Sequence, residues 1–114
     1  MVTHQFSLRL DVIIFREGEQ VIAFAPALDI SGYADTEGEA LTSLNAALEE
    51  FLTFGVENDT LIDELERLGW TKEADKPHPP QLSHLISTQD YVSEIIDQKE
   101  FSRTGTRVNI PVVA

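Results

Sequence analysis

The chain has 114 residues and carries 20 acidic against 8 basic side chains, a formal net charge of -12, with no cysteine and 42% apolar residues. This length predicts a single domain over residues 1–114, and the apolar content is too high for a disordered acidic chain. The lack of cysteine excludes disulfide scaffolds and thiolate chemistry, and the negative charge opposes non-specific binding to nucleic acid or anionic membrane.

The first part of the chain predicts three strands. Apolar and polar side chains alternate over residues 8–15, which is the period of a strand. A short polar loop around Gly18 leads to a return strand over residues 21–25, which a proline ends because it has no N–H to donate. A third strand is predicted over residues 30–35, where Gly32 weakens the pattern. Three consecutive strands with short connections predict an antiparallel meander.

A long helix is predicted to begin directly after this meander. The sequence Thr-Glu-Gly-Glu starting at Thr36 is a capping box, in which the Thr36 hydroxyl accepts the N–H of Glu39. Apolar residues then recur at spacings of three and four for more than three turns. Gly55 is predicted to end the helix. The apolar stripe consists of Ala40, Leu41, Leu44, Ala47, Leu48, Phe51 and Leu52.

A second, shorter helix follows within residues 59–70. Asp59 or Thr60 is expected to cap it, and Gly69 is expected to end it. Trp70, the only tryptophan of the chain, is expected to pack back onto the core.

The remaining segment, residues 76–114, contains a proline-rich link, a helix and a closing strand. Residues 76–80 are expected to be extended, because a proline disfavours the helical conformation of the residue before it. A third, weaker helix is predicted over residues 88–100. Alternation over residues 107–112 predicts a late strand, and Pro111 makes it an edge strand or places a bulge in it. The element order predicts an α+β domain whose helices pack on one face of an antiparallel sheet.

The acidic residues are concentrated in the middle of the chain. Residues 29–75 contain 13 acidic and 2 basic side chains, a net charge of -11, whereas residues 1–28 carry -1 and residues 76–114 are neutral. Such a segment suits a basic partner, and the alternative is that the charge only keeps the protein soluble. With no cysteine and no secretory leader pattern, the cytoplasm is the expected location.

Three segments, taken in order, resemble the HicB-like antitoxin domain. They are the stretch Val21-Ile-Ala-Phe-Ala-Pro-Ala-Leu-Asp29, the stretch Gly32-Tyr-Ala-Asp-Thr36 and the stretch Glu37-Gly-Glu-Ala-Leu41. The residues that hold the positions of the family's turn, strand end and helix start are Pro26, Leu28, Asp35, Thr36, Glu39 and Ala40. The resemblance covers residues 8–57 well and the rest loosely, and the helices predicted within residues 59–70 and 88–100 are not a standard part of the pattern.

The resemblance implies a fold and a partner. The fold is a partial ribonuclease-H-like domain without the nuclease site, needing no cofactor or metal. The partner is a small basic HicA-type ribonuclease, which the protein would bind and neutralise, and such antitoxins are usually homo-oligomers. Many members bind operator DNA through an added C-terminal module. This sequence contains no complete helix-turn-helix or ribbon-helix-helix, so DNA binding is not expected.

For contact with a basic partner, the sequence predicts Asp29, Asp35 and Glu37, with Tyr33 as an aromatic anchor. No catalytic residue is predicted. One alternative is a metal-dependent phosphodiesterase that uses Asp11, Asp29 and Asp35. Another is a stand-alone structural or regulatory domain that forms a homodimer through an exposed edge strand.

Overall fold

A four-stranded antiparallel sheet lies at the centre of the protein, for which a computed structural model describes residues 2–73 and 76–113. In chain order the elements are β1 (Val2–Glu17), β2 (Gln20–Ala25), β3 (Ile30–Ala34), α1 (Glu37–Glu57), α2 (Leu61–Arg67), β4 (Thr71–Glu73), β5 (Lys76–His78), α3 (Leu82–Thr88), α4 (Asp90–Gln98) and β6 (Phe101–Val113). The strand order in the main sheet is β3-β2-β1-β6, and β4 and β5 form a separate two-stranded hairpin. Asp75, the last acid of the acidic segment, lies outside the described residues.

The predicted α+β class and the antiparallel meander are confirmed. β1 and β6 are both longer than their local sequence patterns indicate, because they pair with each other from Val2 opposite Val113 to Phe15 opposite Phe101. Backbone hydrogen bonds between the two strands stabilise the parts of β1 and β6 in which apolar and polar side chains do not alternate clearly. The prediction that proline marks an edge strand is also confirmed, since Pro111 lies in β6 at one edge of the sheet.

One face of the sheet packs against α1 and α2. The side chains of Leu10, Val12 and Ile14 project from this face of β1 and belong to the same buried cluster as Leu44 and Leu48 of α1. This agrees with the predicted apolar face of β1 and the predicted stripe of the helix.

The prediction that all helices pack on one face is wrong. Val92 and Ile95 of α4 form a second buried cluster with Ile13, Phe15 and Phe24, which project from the opposite face of the sheet. The physical reason lies in the run of four apolar residues, Val12–Phe15, near the end of β1. A strand that is apolar on both faces needs packing partners on both. The helix predicted over residues 88–100 is observed as α4, and α3 just before it was not predicted.

The N-terminus of α1 has the predicted cap, but its end does not match the prediction. The N–H of Glu39 donates to Thr36 Oγ1 at 3.3 Å, and the Thr36 hydroxyl donates to Glu39 Oε1 at 2.9 Å. Gly55 lies inside the helix, which continues to Glu57. A β-carbon at Gly55 would lie 3.0 Å from Cβ of Leu61, so this glycine provides room for α2 and does not end α1.

The second helix and the tryptophan lie where the sequence predicts them. Thr60 occupies the N-cap position of α2, although its side chain makes no capping hydrogen bond. Gly69 follows the helix with a φ of 94°. Trp70 is buried, and its Nε1–H donates to the carbonyl oxygen of Ala27 at 2.8 Å. This bond joins the segment after α2 to the turn between β2 and β3.

The backbone of α1 closely approaches the sheet at Gly32 in β3. A β-carbon at this position would lie 2.6 Å from Cα of Leu44 and 2.7 Å from the carbonyl oxygen of Ala40. Both obstructing atoms belong to the α1 backbone, which cannot move away as a flexible side chain can. The glycine that weakens the strand pattern therefore allows α1 to contact the sheet backbone directly.

Replacement of Gly32 by alanine is expected to lower the free energy of unfolding by about 2 kcal/mol or more, since overpacking a rigid core commonly costs about 1–3 kcal/mol. Urea denaturation followed by circular dichroism measures this change. Gly38→Ala is the matched control, because it lies in the first turn of α1 with nothing within 4 Å of the new β-carbon. The control is expected to be neutral or slightly stabilising. Equal losses in the two variants would contradict the close contact.

Candidate interaction surface

Three of the four residues predicted to contact a partner lie within five positions of one another in the chain. Tyr33, Asp35 and Glu37 are all exposed and lie where β3 leads into α1, and the side chain of Tyr33 is 60% exposed. Asp29 lies in the turn before β3, with a φ of 55°. Asp29 and Asp35 are six residues apart along extended backbone, which is roughly 20 Å at the usual rise of a strand. Asp29 therefore lies at the far end of β3 from Asp35 and Glu37.

The carboxylates of the phosphodiesterase alternative are also separated. Asp11 lies in the middle of β1, where its Oδ1 accepts from Arg9 Nη1 at 2.9 Å and lies 3.7 Å from Arg103 Nη2. Asp29 and Asp35 lie at opposite ends of β3. Within residues 2–73 and 76–113, no group of three or more histidine, aspartate or glutamate side chains is placed to hold a metal ion. The structure thus does not assemble the set of acids that this alternative requires.

The outer surface of α1 is acidic and contains an exposed aromatic ring. The helix contains five glutamates and neither lysine nor arginine. Its buried residues face the sheet, and this arrangement turns Glu49, Glu50, Phe54 and Glu57 outward. Phe54 is 62% exposed, the largest exposed fraction among the large apolar side chains of the described residues. We call these four residues the acidic helix face.

The chemistry of the acidic helix face suits a cation carried on a side chain. A shallow depression of about 460 Å³ runs along it, with Ala46 and Thr53 as its remaining lining residues. None of the ion pairs among the described residues involves its glutamates. An arginine placed there could stack on Phe54 and form paired hydrogen bonds with a carboxylate.

Phe54 is not among the residues predicted to contact a partner. It also lies outside the apolar stripe that the sequence predicts for α1. The signal that could have identified it is helical spacing, because Phe54 is four residues after Glu50 and three before Glu57. Residues at these spacings lie on one face of a helix.

Another exposed aromatic residue, Tyr91, lies among acidic side chains on the other side of the sheet. Its ring meets Phe24 edge to face, with centroids 5.3 Å apart. Partial burial raises the pKa of Tyr91 above its ordinary value, and the negative charges of Glu17, Glu94 and Asp29 raise it further. The surface around Asp29 is therefore also negative, although Asp29 is separated from the other predicted contact residues.

The comparisons with known proteins identify no relative. No family model, curated protein or solved structure matched the chain. Among the helices that the structure describes, none is long and apolar enough to cross a membrane. The resemblance to HicB-like antitoxins remains a prediction from the residues that carry it.

Removal of a negative charge beside Tyr91 is expected to lower the pKa of its hydroxyl. Glu94→Gln in a Tyr33→Phe background should shift the ultraviolet titration of Tyr91 to lower pH, whereas Glu66→Gln on α2 should leave it unchanged. The pKa of Tyr91 is higher in the folded state than its ordinary value of 10.0. The contribution of the neutral hydroxyl to the free energy of unfolding is therefore fully present below pH 10.0. It is lost as the pH rises through the pKa of the folded state. A titration that does not move with Glu94→Gln would contradict this electrostatic environment.

Proposed function

We propose that this protein is a non-enzymatic, HicB-like antitoxin that binds and masks a small basic ribonuclease of the HicA type. The acidic helix face is the observation that carries the proposal. It presents an exposed aromatic ring among glutamates on a helix with no basic residue. The proposed location is the cytoplasm, and the homo-oligomeric state that the resemblance implies stays a prediction.

Charge would contribute to both the rate and the outcome of this binding. A net charge of -12 attracts a basic protein over distances of about a Debye length, close to 8 Å at physiological ionic strength. On contact, the glutamates would meet the same cationic side chains that the ribonuclease needs for RNA phosphates. Masking then follows because one positive surface cannot hold both partners at once.

The rigidity of α1 supports binding through its surface. The capping box fixes the start of the helix, and the contact at Gly32 fixes its approach to the sheet. Asn45 joins the helix to β6, because Thr106 Oγ1 donates to Asn45 Oδ1 at 2.7 Å. A surface held in place before binding loses less conformational entropy when the complex forms.

The proposal predicts loss of inhibition when the acidic helix face is altered. Purified protein is mixed with a HicA-type ribonuclease encoded by a neighbouring reading frame, and RNA cleavage is followed. Wild-type protein should abolish cleavage, whereas Phe54→Ala and Glu50→Lys should each raise the concentration needed for half inhibition at least about tenfold, as loss of a central contact does.

Asp63→Lys is the matched control, because it makes the same charge change at an exposed position on α2. It is expected to inhibit within a few-fold of the wild type. Tyr33→Ala tests the surface that the sequence predicts beside the start of α1. Unchanged RNA cleavage in the presence of wild-type protein would show that this protein does not mask that ribonuclease.

A further inference from the structure

The main sheet has two edges, and they differ in how they are covered. β3 forms a short edge of five residues, and the N–H of Tyr33 donates across it to Ser43 Oγ of α1 at 3.4 Å. β6 forms the other edge, is 13 residues long, and has no strand on its outer side among the described residues. An uncovered edge of this length is a template for pairing with another strand.

The register shows which groups of β6 point outward. In an antiparallel strand the N–H and C=O of one residue point to one side, and those of the next residue point to the other. Pro111, opposite Gln5, has no N–H and therefore belongs to the set that points away from β1. The same alternation can be followed from β6 through β1 and β2 to β3. It directs the N–H of Tyr33 away from β2 and toward Ser43 of α1, to which it donates. The other outward residues are Phe101, Arg103, Gly105, Arg107 and Asn109.

A groove lies between this edge and α1. Its volume is about 630 Å³, and Leu48, Leu52 and Val56 of α1 line it with Val108 of β6. Glu49, Glu57 and Arg107 also line it, and the two glutamates belong to the acidic helix face. The groove is therefore continuous with the surface proposed to bind a basic partner.

The opposite side of the same edge is basic. Arg9 lies directly opposite Arg107 in the register, and like charges at this position repel each other. The Arg9 guanidinium lies over Gly105, where a β-carbon would collide with it, and it is bonded to Asp11. Arg103 and Arg107 are exposed on the same side. The Asp11 carboxylate lies within 4 Å of two of these guanidinium groups, those of Arg9 and Arg103.

From these observations we infer that the free edge of β6 accepts an extended segment of the basic partner as a fifth strand of the sheet. Successive side chains of a strand point to opposite faces. The segment would therefore alternate apolar or basic residues, facing the groove, with acidic or polar residues, facing the arginines. Pairing is confined to residues 101–109, because Pro111 offers no N–H beyond them. This inference rests on the proposed function for the identity of the partner.

A second copy of this chain does not fit the same edge. Antiparallel pairing of β6 with β6 keeps each face of one sheet aligned with the same face of the other. Arginines would then meet arginines on one side, and the glutamates of the two α1 helices would approach each other on the other side. Charge therefore favours a strand from a different protein.

Backbone amide exchange tests the inference with a synthetic peptide. The probe has nine residues, with valine and lysine alternating at even positions and glutamate and threonine at odd positions, and a scrambled peptide of equal composition is the control. In the free protein, the outward amides of Arg103, Gly105, Arg107 and Asn109 should exchange fast. At saturating probe, nuclear magnetic resonance should show their exchange slowed at least about tenfold, with the scrambled peptide having no effect.

A pair of variants isolates the backbone contribution. Arg107→Pro removes an outward N–H without removing a bond to β1, and Arg107→Ala removes only the charged side chain. Peptide binding should be at least about tenfold weaker for the proline variant than for the alanine variant, with circular dichroism checking that both are folded. Equal binding by the two variants would contradict backbone pairing.

The ribonuclease provides the second arm of the test. If it is inhibited while the outward amides of β6 exchange as in the free protein, strand addition is wrong and the proposed function stands. If the peptide protects those amides but the ribonuclease stays active, the edge binds a strand and the proposed function fails. Exchange unchanged by both partners would overturn the inference.

Discussion

The contact between α1 and the sheet backbone at Gly32 is the constraint on which the rest of the structure depends. It brings α1 so close to β3 that a single added carbon would meet the helix backbone. With the helix held there, Leu44 and Leu48 reach the apolar face of β1 while the glutamates and Phe54 face outward. The same placement leaves a groove between α1 and β6. One small residue therefore sets the distance between α1 and the sheet, on which the packing of the core and the outward placement of the acidic helix face depend.

Much of the fold could be predicted because its signals are local. The alternation in β1 and the capping box at Thr36 each depend on a few neighbouring residues. The covering of both sheet faces was not predicted, although the signal is present in the apolar run Val12–Phe15, which places Ile13 and Phe15 opposite Val12 and Ile14. Gly55 was misinterpreted because its role depends on Leu61, a contact between two helices that no local pattern shows.

The candidate site was predictable to a smaller extent. The sequence indicates an acidic middle segment, and Tyr33, Asp35 and Glu37 are close in space because they are close in the chain. Asp29 is only six residues from Asp35 in the sequence, yet an extended strand separates its residues by a greater distance than a helix of equal length does. The arginines around Asp11 come from two strands at opposite ends of the chain, so only the pairing of β1 with β6 brings them together.

The central claim is that an acidic, preorganised helix face masks a basic ribonuclease, and the salt dependence of their dissociation constant tests it most directly. Calorimetric titration from about 50 to 500 mM salt should show affinity falling at least about tenfold, because screening weakens charge attraction. Glu50→Lys should flatten this dependence, while Phe54→Ala should weaken binding at every salt concentration. Affinity independent of salt, or a complex in which Phe54 stays exposed, would contradict the account.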